Sequence, residues 1–176
     1  IDIFEKRLRR PVPARLLYRY IQGFAVCSLK RRAKYLLIRV ESGAVLVVHL
    51  GMSGRLDLFD PQYSLEKHTH VVFKLSSGIE MRYRDPRRFG LIAVQRPGTN
   101  SNVLLDHLGV EPLSDEFDAE YLCGRLGKSM RPVKNVLMDA TVVVGLGNIY
   151  VSEALFVAKI DPCRAAGTVK RTEVTL

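Results

Sequence analysis

Through the first hundred positions apolar residues come in short runs set off by small polar turns. Residues 35–40 and 44–50 are two such runs, joined through Glu41-Ser42-Gly43. Residues 71–75 and 79–83 repeat the arrangement around Ser76-Ser77-Gly78. Runs rich in Val, Ile, Leu and Tyr, broken by Ser and Gly, predict strands joined by tight turns. The whole stretch therefore reads as an antiparallel β meander. Pro97-Gly98-Thr99-Asn100 then interrupts the pattern and marks a boundary between a β segment, 1–99, and a second segment, 100–176.

In that second segment the period becomes helical. Val103, Leu104 and Leu108 make a short apolar stripe ending at Gly109, and Tyr121, Leu122, Arg125 and Leu126 suggest a helix ending at Gly127. Pro132 suits a first helical position, with Val133, Val136 and Leu137 following at helical spacing. A last helix opens at Asn148, places Val151, Ala154, Leu155 and Ala158 on one face, and stops before Pro162. The predicted class is α+β, an N-terminal antiparallel β-sandwich followed by a helical domain. No internal repeat or low-complexity tract interrupts it.

Composition fits a globular chain: 47% of the 176 residues are hydrophobic and 26% charged. No apolar run approaches the length that spans a bilayer, and no signal peptide is evident. The net charge of +9 is unevenly spread. Residues 1–48 hold 11 Lys/Arg against 3 Asp/Glu (+8), 49–100 hold 8 against 5 (+3), and 101–176 hold 8 against 10 (−2). A basic front half calls for a polyanionic partner, with nucleic acid ahead of an anionic membrane surface, against the plainer reading of a solvated basic face. Cys27, Cys123 and Cys163 are far apart in sequence and read as buried free thiols of a reduced, cytoplasmic protein.

Five short segments carry candidate chemistry. In Arg84-Asp85-Pro86-Arg87-Arg88-Phe89-Gly90, proline stiffens a turn that holds a cation beside an aromatic ring. Such a pair can enter a base stack while holding phosphates, although a buried Phe with two solvated arginines fits these seven residues equally well. His49-Leu50-Gly51-Met52-Ser53-Gly54 ends a strand in a glycine-flanked turn that lifts Met52, a side chain able to fill the hole left by an extruded base, or simply core. Arg31-Arg32-Ala33-Lys34 sets cations at a strand entrance, where Lys34 is either a proton-transfer group or a snorkelling lysine. Lys67-His68-Thr69-His70 offers two imidazoles at alternate positions, hence on one side of a strand, better suited to a phosphate contact from His68 than to a metal, for which no third ligand is near. Gly145-Leu146-Gly147-Asn148 opens a helix and suits a phosphate cradle, with Asn148 as N-cap, but lacks the third glycine and acidic partner of a dinucleotide site.

Together these segments resemble the bacterial formamidopyrimidine-DNA glycosylases and their endonuclease VIII relatives, with the glycosylases nearer. The likeness also takes in Arg7-Leu8-Arg9-Arg10-Pro11-Val12, Leu108-Gly109-Val110-Glu111-Pro112-Leu113 and residues 144–156, in collinear order over nearly the whole chain. It implies a β-sandwich joined to a helix–two-turn–helix module with damaged double-stranded DNA in the cleft between them. It further implies excision of 8-oxoguanine or formamidopyrimidines, followed by β,δ-elimination at the abasic site. On this resemblance Lys34 is the catalytic lysine that contacts phosphate and assists elimination. Met52, Arg87 and Phe89 fill the void and wedge the opposite strand, His68 contacts phosphate, Lys134 lies near the active-site cleft, and Asn148 is a phosphate ligand. A monomeric, cytoplasmic, nucleoid-associated protein without membrane attachment is expected.

The departures shape the rest of the expectation. The family's nucleophile is an N-terminal proline followed by glutamate, whose secondary amine attacks the sugar and forms a Schiff base. Here the first residue is Ile1, which aligns inside the following strand. The family's lesion-recognition loop and four-cysteine zinc finger would lie beyond Leu176, so no cofactor is expected within these residues. Ser129 stands where the family is usually basic, and Lys-His-Thr-His replaces the commoner Lys-His-Asp-His. Both domains are thus expected to be incomplete. The alternative is a truncated, non-catalytic nucleic-acid-binding or structural protein on the same scaffold.

Overall fold

Short runs of valine, isoleucine and leucine produce strands with apolar surface to bury, and such strands are stable only when two sheets close over a shared core. In the computed structural model of this chain, which describes residues 1–174, the first hundred residues do this. Eight strands form two four-stranded antiparallel sheets. In one, β1 (Asp2–Ile3), β6 (Thr69–Lys74), β7 (Glu80–Arg84) and β5 (Arg55–Phe59) lie side by side in that order. In the other the order is β2 (Val26–Arg32), β3 (Tyr35–Val40), β4 (Val45–His49) and β8 (Leu91–Gln95). Ile38, Leu46, Val48 and Ile92 from the second sheet meet Val71, Phe73 and Tyr83 from the first, and Leu17 of a short helix, α1 (Ala14–Tyr20), with Ile21 just after it, closes that core.

The topology is richer than a meander. Neighbours β4 and β8 are separated by residues 50–90, and β5 pairs with β7 rather than β6. Helix α1 and strands β1, β2, β5 and β8 have no counterpart among the runs picked out by periodicity. For α1, β2 and β5 the physical reason is exposure. β2 lies at a sheet edge with Val26 and Leu29 in solvent and only partial burial elsewhere, so its sequence carries no alternation to detect. Its conformation comes from backbone pairing with β3, residue for residue from Arg32 opposite Tyr35 back to Ser28 opposite Arg39.

The chain divides into two compact units, Ile1–Asn100 and Ser101–Leu176, of which Thr175 and Leu176 lie outside the described residues. The second unit is helical. α2 (Ala119–Leu126) starts where the Asp118 carboxylate accepts the Tyr121 N–H at 2.7 Å, and it stops at Gly127. α3 (Val133–Leu137) follows Pro132, α4 covers Asn148–Val157, and α5 (Arg171–Val174) follows a 3₁₀ turn at Ala166–Thr168. Leu126, Val133, Val136, Val143, Val151 and Leu155 form the core of this unit.

Two expectations fail here. The stripe of Val103, Leu104 and Leu108 is a series of turns, because Leu104 alone is buried and the Asn102 side chain takes the Leu104 N–H, competing with helix formation. Ala154, expected on the buried face of α4, is exposed. Among the described residues no helix is long and apolar enough to cross a membrane.

Candidate functional site

A single buried carboxylate organises the turn that follows β7. Asp85 has no solvent exposure, yet every oxygen it carries is used. Oδ1 accepts the Ser53 hydroxyl at 2.6 Å; Oδ2 accepts the Gly90 N–H at 2.8 Å and the Tyr83 phenol at 3.3 Å; its carbonyl lies 2.7 Å from His70 Nε2 and accepts the Arg88 N–H at 3.2 Å. Burial alone would raise the Asp85 carboxyl, but these donors outweigh it and hold it below the usual carboxylate range. The turn is thereby fixed at both ends, with Pro86 stiffening its start.

The two arginines of the turn have different fates. Arg88, in the left-handed region at φ 57°, reaches Glu5 at 2.7 Å. Arg87 stays exposed, its guanidinium 4.7 Å from the centre of the Phe89 ring. Phe89 itself is 46% exposed, which excludes a core role and leaves a cation stacked on a ring that projects from a rigid base.

Met52, 74% exposed, sits on the neighbouring turn after β4. The two turns touch backbone to backbone. A methyl group at Gly51 would lie 2.6 Å from the Phe89 carbonyl carbon and from the Gly90 nitrogen, and one at Gly90 would lie 1.9 Å from the Tyr83 oxygen and 2.5 Å from the His49 carbonyl. Only glycine permits that approach. Gly90→Ala should accordingly destabilise the β unit by roughly 3 kcal/mol through overpacking against a fully buried tyrosine, read as a lower denaturant midpoint at unchanged slope. A neutral result would mean the turns are looser than this packing requires.

Lys34 occupies the two-residue turn of the β2–β3 hairpin, exposed, beside Ala33 at φ 53°. Nearby, His49 packs against Tyr35 with ring centres 4.9 Å apart and planes tilted by 58°, and its Nδ1 accepts the Gly51 N–H at 2.9 Å. Burial lowers the His49 pKa, and the charges of Arg9 and Lys34 act in the same direction. The neutral ring is thus kept as an acceptor that helps set the Met52 turn. His68 and His70 do not share a strand face as the alternation implied. β6 begins at Thr69, the register shifts between Thr69 and Val71, and His68 sits before it at φ 71°. His68 is half-exposed, its pKa lowered by burial and by the Lys67 and Arg84 charges. His70 is buried, and because the Asp85 carbonyl can only accept, its Nε2 carries the proton.

In the helical unit Lys134 is half-buried on α3, with Nζ donating to Ser152 Oγ of α4 at 3.1 Å. Asn148 is exposed in the first turn of α4; the N-cap is Gly147, not Asn148, and no side chain caps the helix. Cys27 and Cys163 are exposed and Cys123 is partly so, which corrects their assignment as buried thiols. All three are free. Among the described residues no three His, Cys, Asp or Glu side chains gather as metal ligands.

Comparison with known proteins places this arrangement. Residues 1–92 match the model of the formamidopyrimidine-DNA glycosylase N-terminal domain, and residues 108–176 match that of the formamidopyrimidine-DNA glycosylase H2TH (helix–two-turn–helix) domain. The chain belongs to the formamidopyrimidine-DNA glycosylase family. It is 49% identical to the formamidopyrimidine-DNA glycosylase of Hahella chejuensis over 176 residues, which are 99% of this chain and 64% of that protein. With the Yersinia enterocolitica enzyme the identity is 51% over 169 residues, 96% of this chain and 61% of the relative. The crystal structure of Lactococcus lactis formamidopyrimidine-DNA glycosylase non-covalently bound to DNA containing an abasic site superimposes with a TM-score of 0.89 at 29% identity, covering 98% of this chain and 65% of that one. The chain thus spans a little under two thirds of the length of these relatives.

Within the family frame, the residues that sequence reasoning missed are those that hold the exposed groups in place: Asp85, Ser53, His49 and His70. Their signal was faint. Aspartate before proline and serine between glycines are ordinary turn residues, and nothing local says that they meet.

Proposed function

We propose that this chain supplies the DNA-grasping portion of a DNA repair glycosylase/AP lyase. The parent protein would excise 8-oxoguanine and formamidopyrimidines from duplex DNA and cleave the resulting abasic site by β,δ-elimination. The observation that carries this reading is the Arg87–Phe89 pair, a stacked cation and ring projecting into solvent from a turn anchored by a buried carboxylate. A surface aromatic so rigidly mounted has little to stabilise within the fold and much to offer a disrupted base stack. Met52 fills the vacated space; Arg87 faces the orphaned partner base; Lys34 and Lys134 hold phosphates. His68 meets a phosphate. Asn148 and the uncapped first turn of α4 present amide donors to another phosphate. The working partner is damaged double-stranded DNA, met by a monomer in the cytoplasm at the nucleoid.

Phe89→Ala tests the reading. The preference for an abasic over an intact duplex should fall by roughly 1–3 kcal/mol, the worth of one base–aromatic stack. Thermal stability should stay nearly unchanged, since a fully buried Phe→Ala costs about 3–5 kcal/mol and this ring is 46% exposed. Competition titrations of the two duplexes, with a melting curve for each variant, decide it. An unchanged preference, or a collapsed melting temperature, removes the wedge.

A further inference from the structure

We propose that Asp85 and Ser53 are positioning residues that lock the two exposed turns into one wedge, so that Met52 and the Arg87–Phe89 pair enter a duplex as a single rigid body. The inference rests on the proposed function above. Two independent ties support it. The first is polar. Ser53 follows Met52 in sequence, and its hydroxyl is shared across the turns, donating to Asp85 Oδ1 at 2.6 Å and accepting the Arg87 N–H at 3.2 Å. The other carboxylate oxygen takes the Gly90 N–H, directly after Phe89. The second tie is steric, the contact of Gly51 with the Phe89–Gly90 peptide, with no side chain between them.

A network serving only the sheets would end on strand residues. This one ends mainly on the turns. Tyr83 is its single partner in the strands through the carboxylate; Ser53, Gly90 and the Arg87 amide all belong to residues 51–54 and 86–90. Burying a carboxylate is costly unless it is fully hydrogen-bonded, and here the bonds that compensate it fix Ser53 and Gly90, the chain neighbours of Met52 and Phe89. Through its carbonyl and amide Asp85 also contacts His70 and His68, so the same residue sets the approach of the phosphate-type imidazole. Met52 and Phe89 would otherwise each have to be ordered upon entering DNA, and preorganisation removes that cost from binding.

The test is a double-mutant cycle on the 176-residue chain, reading affinity for abasic duplex, affinity for intact duplex, and melting temperature. Ser53→Ala should lower the abasic-over-intact ratio by roughly three- to tenfold, the scale of one or two hydrogen bonds, and leave intact-duplex affinity close to wild type, with a lowered melting temperature but a folded protein because Asp85 Oδ1 loses its donor. In a Phe89→Ala background the same change should lower the ratio by clearly less, because the group it positions is gone. Asp85→Asn, nearly isosteric, serves as a second probe and should reduce the ratio in the same direction. A Ser53→Ala protein with an unchanged ratio, where Phe89→Ala reduces it, overturns the coupling and leaves the wedge standing. Fully multiplicative effects, or failure of both Ser53→Ala and Asp85→Asn to fold, make the network purely structural and also overturn it. If Phe89→Ala itself has no effect, the wedge reading and this inference fall together.

Discussion

A tenfold rise in salt, from about 50 to about 500 mM, should weaken binding of this chain to duplex DNA by roughly ten-thousand- to hundred-thousand-fold, because neutralising about 4–6 phosphates gives a slope of log K against log salt near −4 to −5. The charge distribution motivates the number. Residues 1–48 carry 11 Lys/Arg against 3 Asp/Glu, and the structure leaves Lys30, Arg31 and Lys34 exposed at the β2–β3 hairpin. Lys134 adds to the count. Arg88 and Arg82 do not: the first reaches Glu5, and the second is buried against Glu80 and the carbonyls of Tyr63 and Ser64. Binding should also be weak and nearly indifferent to sequence, since phosphate contacts carry no base information. Fluorescence anisotropy of a labelled duplex across that salt range measures the slope. A flat line, or no binding at low salt, eliminates nucleic acid as the partner and returns the basic segment to a solvated face.

The second large effect is all or none. A polypeptide that begins at Ile1 should give at most a trace of borohydride-trapped complex with abasic DNA, and efficient trapping should appear when a segment opening with Pro-Glu is placed upstream. Borohydride reduces an imine between an amine and the abasic sugar, so trapping reports a competent nucleophile. In this structure the Ile1 ammonium lies against Gln22 Oε1 at 3.3 Å, and Ile1 borders the opening lined by Phe73, Lys74 and Leu75. That is the end of β6 away from His68, about 20 Å along a six-residue strand. Lys34, the remaining candidate, is cast by the family resemblance as a phosphate contact and elimination aid. Strong trapping by the Ile1-initiated chain would instead make a lysine the nucleophile. No trapping by the extended protein would favour the non-catalytic scaffold.

What could be read along the chain, and what could not, divides by the range of the interaction that decides it. β3, β4, β6 and β7 were legible because each is a short apolar run bounded by polar or glycine turns, and α2, α3 and α4 because Gly127, Pro132 and the glycines before Asn148 punctuate them locally. The family was legible too, since its motifs are short and ordered. Strand β2 and helix α1 were not: one is an exposed edge held by backbone pairing, the other has Leu17 as its one fully buried residue. The site shows the same division. Sequence alone singled out Met52, Arg87 and Phe89 but left Met52 and Phe89 open between a core place and a wedge, which their exposure in the structure decides. Only the tertiary structure decided that Arg88 is taken by Glu5, that His70 turns inward while His68 does not, and that Asp85 binds a serine 32 positions away. Periodicity reports which face a residue shows its own element, whereas a buried carboxylate selects its donors through space. The sequence therefore determined which groups were candidates for the site, and the packing of distant turns around Asp85 determined that they project and how firmly they are held.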